Sequence, residues 1–166
     1  MAKRKKSNVG MILSGLSVLL GLAAIIMLFL PAVAVKDTDT TYTGLQVTFG
    51  YSVDIPILGE AEIFKFSFMN LLAYILAAAG VVFAILSAMG KSGKFASFIA
   101  AAAFIAAGVL FVIQPSFIIT NDITSAITSF LGVDLTEGFT LAVGGIIAVV
   151  CAFLAGLLSL FKSFAK

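Results

Sequence analysis

Few side chains in this sequence can act as general acids or bases, nucleophiles or metal ligands, and they are unevenly placed. The carboxylates Asp37, Asp39, Asp54, Glu60, Glu62, Asp122, Asp134 and Glu137 fall in two stretches of the chain. Carboxylate catalysis needs a partner group within hydrogen-bond reach, and no pair here has a recognisable catalytic spacing. Calcium takes about six to eight oxygen ligands. Asp37-Thr38-Asp39 supplies too few, and no acid series runs on into the glycine and later glutamate of an EF-hand loop. The chain has no His, which excludes a Ser-His-Asp triad and a His-based zinc site. Cys151 is the single cysteine and lies in an apolar run, so no intrachain disulfide forms. No catalytic residue, cofactor or metal ligand is assigned, and the chain reads as non-enzymatic.

The surrounding elements carry more information. Charged residues make up 11% of the chain, against about 25% in soluble domains. Lys3, Arg4, Lys5 and Lys6 precede an uncharged run from Val9 to Val35. As an α-helix that run reaches roughly 40 Å, more than a hydrocarbon core of about 30 Å requires. A basic start and Ala32-Val33-Ala34 also suit a cleavable signal peptide, but the run is too long for one, and retention is expected. Three further apolar runs follow. The expected fold is an all-α membrane protein, one integral domain over residues 1–166. Its spans are expected at about 9–35, 66–89, 95–113 and 139–161, with outer loops at 36–65 and 116–138.

Small residues recur along each span at spacings of four and three. They are Gly10, Ser14, Ser17, Gly21 and Ala24; Ala73, Ala77, Gly80, Ala84 and Ser87; Ala96, Ala100, Ala103 and Ala107; and Gly145, Ala148, Ala152, Ala155 and Ser159. This is the pattern by which membrane helices approach closely. The spans are expected to be free of Asp, Glu, Lys and Arg, which argues against proton relays and ion pumps. Four seams of Gly, Ala and Ser suit packing better than a pore. Asn70, Tyr74 and Gln114 are the polar side chains nearest the outer boundary. They read as interhelical hydrogen-bonding groups or, alternatively, as the lining of a cavity for a lipid or small solute.

In the first loop, Leu45, Val47, Phe49, Tyr51 and Val53 alternate with Gln46, Thr48, Gly50 and Ser52. Period two with aromatic and β-branched residues reads as a strand. A turn around Pro56 and Gly59 and a returning strand over 60–66 complete a small extracellular antiparallel sheet between helices 1 and 2. On that sheet Phe49 and Tyr51 are candidate partner contacts. Phe64, Phe66, Phe68, Phe161 and Phe164 read as interfacial anchors. In the second loop, Ile123, Ile127, Phe130 and Leu131 share a helical face after the capping residues Thr120-Asn121-Asp122, with Gly132 as a stop.

Lys3, Arg4, Lys5, Lys6, Lys91, Lys94, Lys162 and Lys166 fall on one side of this scheme and all the acids on the other, joined there only by Lys36 and Lys65 at helix ends. Basic residues set orientation, so both termini are expected in the cytoplasm of a multi-pass cell-membrane protein. The plan resembles that of the claudin-like four-helix membrane proteins, which also have cytoplasmic termini and a β-rich first loop. Of the claudin signature, only Thr43-Gly44-Leu45 is echoed. Gln46 stands where a Trp would, and the loop holds neither Trp nor a Cys pair. The resemblance therefore implies topology, and barrier- or channel-forming roles are not carried over. The expected function is association with other membrane proteins or with itself, as an accessory subunit or scaffold. The alternative is a small transporter, channel or lipid-handling protein with an uncharged cavity. Expected partners are membrane lipids and proteins, with no nucleic acid.

Overall fold

A computed structural model describes residues 8–56, 59–90, 93–120 and 138–164. Four of its helices are long and apolar enough to cross a membrane. They are α1 (Asn8–Ile26), α3 (Phe68–Ala88), α4 (Gly93–Val112) and α5 (Val143–Phe164). With 19, 21, 20 and 22 residues, they reach roughly 28 to 33 Å. A short helix, α2 (Gly44–Phe49), and six strands fill the connections at one end. Chain neighbours pack side by side, α1 on α3, α3 on α4 and α4 on α5, and α5 closes the ring against α1.

The ring is filled from within. Ser14, Ser17, Gly21 and Ala24 of α1 are buried, as are Ala73, Ala77, Gly80, Ala84 and Ser87 of α3. So are Ala96, Ala100 and Ala107 of α4 and Gly145, Ala148, Ala152, Ala155 and Ser159 of α5, while Gly10 and Ala103 are half-buried. The space these small residues leave is taken by Phe104 and Phe111, both 0% exposed. Phe104 leaves α4 and lies against α1 and α3. A Cβ at Gly21 would stand 2.6 Å from its ring, and one at Gly80 2.7 Å. The absent side chains are thus the socket for the ring, since interiors pack to crystal-like density. Phe111 meets Tyr74 edge-on, with ring centroids 4.9 Å apart.

The apolar run that starts at Val9 does not stay helical to Val35. After Ile26 it tightens into a 3-10 turn (Met27–Phe29) and then extends as strand β1 (Pro31–Val35). Pro31 is the reason: the residue before a proline is pushed out of the helical region, and Leu30 has φ −104° and ψ 163°. The remaining strands are β2 (Thr41–Thr43), β3 (Tyr51–Ile55), β4 (Gly59–Lys65), β5 (Ile119–Thr120) and β6 (Phe139–Leu141). They form two three-stranded antiparallel sheets, ordered β2-β1-β6 and β3-β4-β5. The expected single sheet between the first two spans is thereby corrected. β1 comes from the first apolar run, β5 follows α4, and β6 leads into α5. The first ladder pairs Val33 with Leu141 and Val35 with Phe139.

The two sheets share a core of Val33, Val35, Tyr42, Val47, Ile63 and Phe64. Phe64 is fully buried there, not at an interface, and meets Tyr42 edge-on at 4.7 Å. This cap covers one end of the bundle, while Lys94 and Lys162 lie at the other. The start of α5 fits tightly under β1. A Cβ at Gly144 would lie 2.5 Å from the Pro31 carbonyl, and one at Gly145 would run into the Ala32 carbonyl. The expected helix around 121–131 lies outside the described residues.

Candidate functional site

The segment 45–49, read as strand from its alternation, is the helix α2. Thr43 and Gln46 build it. The Gln46 N–H donates to Thr43 Oγ1 at 3.3 Å, and the Thr43 N–H donates to Gln46 Oε1 at 2.9 Å. This reciprocal capping box satisfies two backbone donors and starts a helix. Gly50, at φ +100°, ends it and hands the chain to β3. The Thr-x-x-Gln spacing was the available sequence signal. Leu45 and Phe49 are four apart on one face and exposed, while Gly44, Val47 and Thr48 face inward.

α2 lies across the first turn of α3, and the junction is stitched by polar groups. Asn70 Nδ2 donates to the Val47 carbonyl at 3.2 Å. The Ser67 N–H donates to the Thr48 carbonyl at 2.9 Å, and Ser67 Oγ donates to the Phe117 carbonyl at 2.7 Å. Ser67 and Asn70 thereby tie α2, α3 and the turn after α4 (Gln114–Phe117) into one unit. Asn70, expected as an interhelical group or a cavity contact, here bonds the cap to α3.

Not every polar atom here is paired. Thr48 Oγ1, Asn70 Oδ1 and both amide atoms of Gln114 are buried without a hydrogen-bond partner among the described residues. The Tyr74 hydroxyl is a neighbour of the Gln114 amide, yet neither amide atom meets hydrogen-bond geometry. Each such atom costs about 1–3 kcal/mol when buried unpaired. Between the start of α3 and the segment after α4 runs an open groove of about 350 Å³, lined by Ser67, Phe68, Met69 and Ser116–Ile119 and not by Thr48, Asn70 or Gln114.

Of the five expected contact residues, Asn70, Tyr74 and Gln114 gather at this junction. Phe49 does not lie on a sheet. It is exposed on α2, with its ring 6.3 Å from that of Phe66. Tyr51 is half-buried on β3, 6.0 Å from Tyr42. Across the β3–β4 hairpin, Asp54 stands directly opposite Glu60, with Glu62 farther along the same strand. Like charges so placed repel. Among the described residues no group of three or more His, Cys, Asp or Glu side chains converges to hold a metal ion. The chain matches no family model and no curated protein.

Proposed function

We propose that this chain is a multi-pass membrane protein whose cap faces outward and whose termini lie in the cytoplasm. It works without catalysis, by associating with other membrane proteins or with copies of itself. The filled interior of the bundle carries this reading. With Phe104 and Phe111 filling the space between the four small-residue seams, the described part of the bundle is closely packed inside, and the molecule acts through its outer surfaces. Lys94 and Lys162 at one end support the orientation, and the acidic hairpin at the other suits an outward-facing surface. The claudin-like plan enters as topology alone. Purification in mild detergent is the test. Co-purifying protein, or a stable oligomer, is expected; a strictly monomeric protein that retains nothing overturns the proposal.

The groove between the start of α3 and the segment after α4 favours a second reading, lipid handling at the junction. Lipid retained through purification and transferred between liposomes supports it. No retained lipid and no transfer removes it.

A further inference from the structure

α2 is a six-residue helix that exposes its two large apolar side chains, Leu45 at 39% and Phe49 at 51%. Phe66 and Phe68 beside it are 48% and 58% exposed. In water such a cluster is an unpartnered patch. Two observations say what covers it. The first is level. Asn70, in the first turn of α3, holds Val47 of α2, and the 21 residues of α3 separate that turn from the lysine end by roughly 31 Å. A hydrocarbon core is about 30 Å thick. The patch therefore sits at its far boundary, continuous with the exposed face of α3 that begins at Phe68 and Met69.

The second observation is how the backbone of α2 is satisfied. Its Gly44 N–H donates to the Leu30 carbonyl and its Gln46 N–H to Thr43 Oγ1. The carbonyls of Gln46, Val47 and Thr48 accept from the Gly50 N–H, Asn70 Nδ2 and the Ser67 N–H. A short helix in water leaves its terminal groups to solvent; one bordering hydrocarbon must pair them within the protein. We infer that α2 is a foot that rests in the lipid, with Leu45 and Phe49 in the acyl edge of the leaflet facing the cap and Phe66 beside them. The occupant of the patch is the bilayer, and the foot sets how deeply the cap is seated. This rests on the membrane reading proposed above.

The chain contains no Trp, so single-Trp variants report one site each. Phe49→Trp, Leu45→Trp, Leu154→Trp on the exposed face of α5 and Glu60→Trp on the cap hairpin are reconstituted in phosphatidylcholine vesicles with and without brominated phosphatidylcholine. Phe49→Trp and Leu45→Trp are expected to emit blue-shifted and to lose as much emission to the brominated lipid as Leu154→Trp, with Glu60→Trp unaffected. If Leu154→Trp is quenched but both α2 probes behave like Glu60→Trp, the foot is in water and the inference fails. If the α2 probes are blue-shifted yet unquenched, protein covers the patch, and lipid is the wrong occupant. If Leu154→Trp itself escapes quenching, the membrane reading falls and takes the inference with it.

Discussion

At the lysine end of the bundle, Ser87 Oγ donates to the Gly93 carbonyl at 2.8 Å, and its oxygen lies 2.5 Å from Ser97 Oγ. Lys162 Nζ reaches Ser14 Oγ, and Ser17 Oγ donates to the Leu13 carbonyl. At the cap end, Ser67 and half of Asn70 are paired, while Thr48 Oγ1, Asn70 Oδ1 and the Gln114 amide have no partner among the described residues. Both ends bury polar groups between close helices. At the lysine end the buried serines find partners, Ser17 on its own helix, Ser87 on α4 and Ser14 on Lys162 of α5. The cap end joins its polar groups to the carbonyls of neighbouring segments and leaves some without a partner among the described residues. Buried polar groups without a partner cost stability, so the two ends should answer differently to the loss of a side chain.

The sharpest way to break this contrast is steric. Gly145→Ala drives a methyl into the Ala32 carbonyl and to within 2.9 Å of Leu141 Cδ2; the leucine can move aside, but the backbone carbonyl cannot yield cheaply. A loss of about 3 kcal/mol is expected. Gly10→Ala at the lysine end meets only Lys162 Cε, at 3.8 Å, and is expected to be neutral or stabilising by at most about 1 kcal/mol. Thermal unfolding in detergent micelles compares the two; equal losses would mean that the ends are packed alike.

Next comes the stitching. Asn70→Leu strands the Val47 carbonyl and is expected to cost about 2 kcal/mol, read first as faster amide exchange in α2. Ser87→Ala should cost about 1 kcal/mol or less, because the Ser97 hydroxyl can take over the Gly93 carbonyl one turn back. A Ser87 loss matching that of Asn70 would erase the distinction.

A sign difference gives a finer test. Thr48→Val keeps the shape and removes an unpaired hydroxyl. It is expected to leave stability unchanged or raise it by about 1 kcal/mol. Ser97→Ala, which removes a paired hydroxyl, should lower it by a similar amount. Denaturant midpoints of the two variants decide it, and a destabilised Thr48→Val would mean that the hydroxyl has a partner.

The smallest effect concerns pH. Burial in the cap core, with Tyr51 nearby, pushes the Tyr42 hydroxyl above its ordinary value. The fold therefore favours the neutral phenol. That contribution is complete below the unfolded tyrosine value of about 10 and is lost as pH rises through the higher folded value. The near-UV signal of the cap should weaken in that alkaline window before the helical signal does, and Tyr42→Phe should flatten the decline.

The bundle was readable from sequence because each of its requirements leaves a local mark. A helix long enough to cross a bilayer needs an uninterrupted apolar run, and helices crossing closely need small residues at fixed spacing. The interior plug was not readable. Phe104 differs from the exposed Phe98 only in which neighbours lie opposite, and nothing local records that Gly21 and Gly80 face it. The cap was misread where two structures want the same residues. Pro31–Val35 is apolar enough to extend a span, yet it is buried as a sheet strand, and only the proline marks the change. Leu45 and Phe49 satisfy period two and also the i, i+4 spacing of one helix face; the capping box at Thr43 and Gln46 decides between them. At the site, Asn70, Tyr74 and Gln114 stood out as polar residues at the ends of apolar runs. The bond from Asn70 to the Val47 carbonyl depends on α2 folding back across α3, a long-range fact without a local signature.

One ladder has a consequence for how the molecule is made. β1 follows α1 at once, but its pairing partner β6 immediately precedes α5, more than a hundred residues later by the Val33–Leu141 register. The β1 edge that takes β6 stays open until the stretch leading into α5 has been made, and the ladder then ties the start of α5 to the strand that follows α1. Closing the ring is therefore a long-range step, with the closure entropy of the whole intervening chain to overcome.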